Sequence, residues 1–77
     1  MTRKDFLTQV KKHNIRLDAF DLNGAGNETY ALAGEGTLWK VFYSERGLET
    51  GAQLFETESA ALEGLLGRLL ADDTTRA

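Results

Sequence analysis

His13, Ser44, Ser59 and the close carboxylates Asp18/Asp21 and Asp72/Asp73 are the side chains whose types could carry chemistry in this chain. A serine nucleophile needs a base to take its proton, and His13 is the single imidazole available to either serine. Neither Ser44 nor Ser59 sits in a nucleophile-type sequence context. Carboxylates paired this closely in sequence are ordinarily solvated surface groups, and His13 falls where a cation complements the end of a helix. One histidine and no cysteine exclude a multi-histidine or thiolate zinc site and any disulfide staple. No glycine-rich loop runs into Gly-Lys-Ser/Thr, and Gly34-Glu35-Gly36 is followed by a strand pattern rather than a helix, which excludes the nucleotide-binding fingerprints. The residues therefore predict no enzyme, no cofactor and no metal.

The elements that would position any surface of interest are legible from periodicity. Thr2 and Asp5 form a capping-box-like pair, Phe6, Leu7 and Val10 recur at helical spacing, and Lys11, Lys12 and His13 occupy the last turn before Asn14. The first helix is thus expected from about Arg3 to His13. Ile15 to Leu22 reads as extended with a broken phase, which a bulge or bend near Asp18-Ala19 would reconcile. A loop at Asn23 to Asn27 precedes a second strand from Glu28 to Ala33. A short turn at Gly34-Glu35-Gly36 then leads to a third strand from Thr37 to Ser44. Glu45 to Gly51 reads as a longer polar turn and Ala52 to Phe55 as a short edge strand. Thr57 caps a last helix in which Leu62, Leu65, Leu66, Leu69 and Leu70 make one apolar stripe. Gly64 and Gly67 interrupt that helix, either for close approach or on a solvated face.

The fold expected is α+β. A three- to four-stranded antiparallel meander carries the N- and C-terminal helices on one face, in the order α-β-β-β-(β)-α. All 77 residues are expected to form a single domain with a core of Phe6, Val10, Tyr30, Leu32, one parity of the third strand, Phe55 and the leucines of the last helix. The other sheet face is expected to expose part of the third strand, and residues 72–77 to fray.

Charge narrows the partners. The formal net charge is −3, which argues against a generic binder of phosphate backbones and toward basic partners. The element order is similar to that of the double-stranded RNA-binding domain. Those domains carry a lysine cluster at the start of their last helix, where this chain has the acidic Thr57-Glu58-Ser59-Ala60-Ala61. No apolar run approaches the ~18 residues of a membrane span, and no signal-peptide core opens the chain, so the expected location is the cytoplasm, off the membrane. The richest stretch is Thr37 to Gly47, where Trp39, Val41 and Tyr43 alternate with Leu38, Lys40 and Phe42 and end in Ser44-Glu45-Arg46-Gly47. Its members are core packing plus a turn, or a protein-binding patch of the Trp, Tyr and Arg type that dominates interface energetics. Arg46 there either forks onto a partner's carboxylate or pairs with Glu45, Glu49 or Glu56 at home.

Tyr30-Ala31-Leu32, a glycine turn, the segment Trp39-Lys40-Val41-Phe42-Tyr43-Ser44-Glu45-Arg46-Gly47, and Phe55-Glu56-Thr57-Glu58-Ser59-Ala60-Ala61 together resemble a group of small bacterial proteins encoded beside secreted polymorphic toxins and regarded as immunity proteins. The resemblance spans roughly Phe20 to Leu70, and its specific element is the strand and turn Trp-x-Val-x-Tyr-Ser-Glu-Arg-Gly. Ala61 departs from the cysteine expected there in many relatives. The resemblance implies a cytoplasmic, non-catalytic binder that neutralises a cognate bacterial toxin by covering its active site. If that toxin acts on nucleic acid, its cleft is basic, and Asp18, Asp21, Glu28, Glu35, Glu45 and Glu49 would supply complementary charge. The contacts expected are Asp21, Glu28, Tyr43, Glu45 and Arg46. The alternatives are a regulatory module for another protein partner and, third, a nucleic-acid binder.

Overall fold

The computed structural model describes residues 1–24 and 26–77. Its helices form where the sequence supplies both caps and stripes. Helix α1, Arg3–Lys12, opens on a reciprocal capping box: Asp5 N–H donates to Thr2 Oγ1 at 3.1 Å and Thr2 N–H to Asp5 Oδ2 at 3.0 Å. It closes where Asn14 turns left-handed at φ 56°. Helix α2, Glu58–Ala71, is capped by Thr57, whose Oγ1 accepts from Ala60 N–H at 3.1 Å.

Four strands lie side by side in chain order: β1 (Phe20–Asp21), β2 (Thr29–Glu35), β3 (Leu38–Glu45) and β4 (Leu48–Phe55). The architecture is α+β, with α2 laid across β2, β3 and β4 and α1 packed beside α2. Phe6 and Val10 of α1 enter one core with Leu32, Val41, Ala61, Leu62, Leu65 and Leu69, and Phe6 meets Phe20 edge-on at 5.1 Å. Tyr30, Trp39 and Phe55 pack on the margin of that core.

Four details depart from expectation, each for a physical reason. The sheet is mixed, because β1 runs parallel to β2 in the register Phe20↔Tyr30. The segment before it, expected to be extended, bends through a 3₁₀ turn at Leu17–Ala19 that buries Ala19 and leaves Leu17 77% exposed; of the bulge or bend expected there, it is the bend. The chain then returns to β2 over the sheet face opposite the helices. There, Gly24 lies so close to Ala33 that a Cβ would come within 2.9 Å of its side chain. Ser44 Oγ donates to Gly26 O at 2.9 Å, and Arg46 N–H to Asn27 Oδ1 at 2.7 Å. Phe42, which points to this second face, is consequently 2% exposed. The loop expected at 23–27 includes Ala25, which lies outside the described residues.

Strand β4 is eight residues long rather than four. The chain turns on Arg46-Gly47 alone, both at positive φ (50° and 79°), the geometry whose twist matches a hairpin. Glu49, Thr50 and Gly51 read as a turn because an exposed edge strand is polar. Gly51, at φ 62°, takes up the bulge opposite Phe42.

Finally, residues 72–77, expected as a loose tail, are packed and hydrogen-bonded against the fold. They form a 3₁₀ turn, Asp73–Thr75, in which Thr75 is 2% exposed. Arg76 donates to the carbonyls of Leu69, Leu70 and Asp72, and Ala77 N–H to Asn14 O. The polar residues that suggested a loose tail satisfy the orphan carbonyls at the end of α2.

Candidate functional site

Where β2 begins and β3 ends, on the helix-bearing face, a cleft of about 180 Å³ opens between Arg16, Glu28, Tyr30, Tyr43, Asp72 and Thr74. Its residues arrive from distant parts of the chain. Tyr30 and Tyr43 are cross-strand partners whose rings meet edge-on at 5.0 Å. Asp72 arrives at the end of α2, where its Oδ1 caps the 3₁₀ turn by accepting from Thr74 N–H at 3.0 Å and Thr74 Oγ1 at 2.6 Å. Its Oδ2 accepts from the Tyr30 hydroxyl at 2.8 Å. Arg16 is held in place by Asp18 at 2.8 Å and by the Thr74 carbonyl. Glu28 stands at φ 56°, a left-handed conformation that a glutamate adopts at a cost.

Electrostatics follow from this packing. Burial first, then the charges of Glu45, Glu28 and Asp72, push the Tyr43 hydroxyl above its ordinary value. The Tyr30 hydroxyl moves the same way, by burial and then by its bond to Asp72. Hydrogen bonds from the Thr74 side chain, then from Tyr30, hold the Asp72 carboxyl below the usual range. These directions keep both tyrosines protonated and neutral and Asp72 ionised. The cleft offers fixed negative charge, ring surface and the Tyr43 hydroxyl, which bonds to none of the described residues. At 180 Å³ it is smaller than the roughly 300–1,000 Å³ that small-molecule sites occupy.

The expected contact residues divide. Glu28 and Tyr43 line the cleft, and Glu45 lies close enough for its charge to act on Tyr43. Arg46 sits at the adjoining hairpin tip, its N–H tied to Asn27, and makes no ion pair among the described residues. Asp21 alternates with the core-facing Phe20, so it belongs to the opposite face, where its Oδ1 accepts from Asn23 N–H at 2.7 Å. Of the other acidic residues, Glu35 and Glu49 both pair with Lys40, and Asp18 pairs with Arg16. Tyr43 shares the helix-bearing face with Val41. The opposite face of β3, expected to be partly open, has Phe42 and Ser44 buried under the returning loop.

Sequence reasoning missed Tyr30, read as core alone, and Asp72 and Thr74, read as tail. The Asp72-Asp73-Thr74 capping pattern was the one signal that could have found the latter. Of the residues first considered for catalysis, Asp72 lines the cleft, while the two serines are engaged elsewhere: Ser44 Oγ bonds Gly26 O, and Ser59 Oγ accepts from the Met1 amino group. Among the described residues, no group of three or more His, Asp or Glu could hold a metal ion, and no helix is long and apolar enough to cross a membrane. No family model, curated protein or solved structure matches the chain.

Proposed function

We propose that this protein is a non-catalytic binder of the immunity type, which neutralises a bacterial toxin by covering its active site. Its contact surface on this reading is the acidic, tyrosine-lined cleft together with the Glu45-Arg46 hairpin tip. The observation that carries the reading is the convergence of Glu28, Tyr43 and Glu45 at one end of the molecule. Both glutamates make no ion pair among the described residues, unlike Glu35 and Glu49. Like charges gathered without partners cost stability in the free protein, and a basic partner would relieve that cost while gaining speed of encounter. The resemblance of the Trp39–Gly47 segment to immunity proteins supports the same reading. Size is no obstacle: the roughly 800 Å² that each partner contributes to a standard interface is about a sixth of this chain's 4723 Å².

The direct test is co-purification with the product of a toxin gene encoded beside this one. A one-to-one complex whose association slows with added salt is the expected result. Failure to form a complex, together with failure to protect cells expressing that toxin, would remove the immunity reading.

A further inference from the structure

On the far side of α1 lies a second concavity of opposite character. An open groove of about 380 Å³ runs between α1 and the 3₁₀ turn, lined by Leu7, Val10, Lys11, Asn14, Ile15 and Leu17. Its floor, Val10 and Ile15, belongs to the core, while its walls are two leucines left 45% and 77% exposed. Exposing two such side chains around one groove forgoes part of the favourable burial that each would gain under a partner. Lys11 stands at the rim. Lys4, Leu7 and Lys11 share one helical stripe, and Lys4, Lys11 and Lys12 make no ion pair among the described residues. In a chain of net charge −3, two unpaired cations, Lys4 and Lys11, therefore stand on the groove's side of the helix.

We infer that this groove is a docking site for an acidic, amphipathic segment of another protein. One apolar side chain of that segment fills the space over Val10 and Ile15, and carboxylates about one helical turn to either side meet Lys4 and Lys11. The charge selects an anionic occupant. The concavity selects a projecting side chain over a flat lipid surface, and a ten-residue helix with one exposed leucine offers too narrow an apolar face to lie in a bilayer. The inference is independent of the cleft and of the immunity reading.

The test uses short synthetic helices carrying leucine, phenylalanine or tryptophan on one face with glutamate on either side, and the same helices with lysine in place of glutamate. Titration into isotopically labelled protein, read by backbone amide shifts, should give saturable changes centred on Leu7, Lys11 and Leu17 with the glutamate series alone. Lys11→Glu and Leu17→Ser, both at exposed positions and checked for folding by circular dichroism, should each weaken binding about tenfold, and Glu28→Gln should leave it unchanged. Equal binding of the lysine series would overturn the proposal. So would shifts confined to the cleft, absence of saturation by any glutamate helix, or association with anionic vesicles in place of peptide. A dimer in sedimentation equilibrium that Leu17→Ser abolishes would also overturn it, by making a second copy the occupant.

Discussion

The cleft and the groove are opposites in charge and in construction. The cleft is acidic and aromatic, and it is assembled from Arg16, Glu28, Tyr30, Tyr43, Asp72 and Thr74, which meet only when the sheet, the end of α2 and the carboxyl-terminal turn are all in place. The groove is apolar with a basic rim, and it is built within residues 7–17 from one helix and the turn after it. A surface made of distant parts inherits the stability of whatever joins them, whereas a local surface inherits that of its own helix. The two nevertheless share one joint, because the carboxyl-terminal turn also bonds Asn14 and Arg16; losing it should reach the groove at its Asn14–Ile15 end and leave its Leu7 wall in place.

The largest effect is expected at Arg76, which ties the carboxyl-terminal turn to three carbonyls at the end of α2. Arg76→Ala should cost on the order of 2 kcal/mol in urea unfolding. It should shift the tyrosine signals of the cleft and those of Asn14 and Ile15, which pair with Ala77 and Arg76, while sparing the side-chain resonance of Leu7. The seat of α2, from which Asp72 hangs, is next. A Cβ at Gly64 would fall 2.5 Å from the Phe55 ring, whereas one at Gly67 would meet open space. Gly64→Ala should therefore destabilise, because displacing the ring costs about 1–3 kcal/mol against the ~1 kcal/mol gained in helix propensity. Tyr30→Phe removes the bond to Asp72 and should cost about 1 kcal/mol, with the groove untouched. Gly67→Ala should stabilise by somewhat under ~1 kcal/mol.

The smallest effect is in pH. The Asp72 carboxyl is held below its ordinary value by Thr74 and Tyr30, so the folded state favours its ionised form. Its contribution is complete above the unfolded carboxylate value and is lost as pH falls through the lower, folded one. An acid titration of stability should therefore be shallower in Asp72→Asn than in the parent protein.

The legible parts were those written in local patterns. The capping box at Thr2 and Asp5, the leucine stripe of α2 and the alternation of β3 gave the helices and the central strand almost to the residue. Strand β4 was shortened because an edge strand facing water carries the same residue types as a turn, and only the pairing of Leu48, Glu49 and Thr50 with Glu45, Ser44 and Tyr43 distinguishes them. The parallel pairing of β1 leaves no sequence signature, since two residues have no period. The groove escaped notice because Leu7 reads as one more member of the apolar stripe of α1, and Leu17 as one more strand residue. Both are exposed only because α1 sits beside α2 and the 3₁₀ turn swings Leu17 outward. The cleft was half legible: Glu28, Tyr43 and Glu45 carry the residue types of an interface, but Asp72 joins them through a tail whose polarity looked like disorder.

The most direct measurement is a pair of charge reversals in a toxin-protection assay: Glu28→Lys with Glu45→Lys on one side of the molecule, and Lys4→Glu with Lys11→Glu on the other. Protection should collapse for the first pair and persist for the second, with both variants folded. Full protection by the first pair would contradict the account.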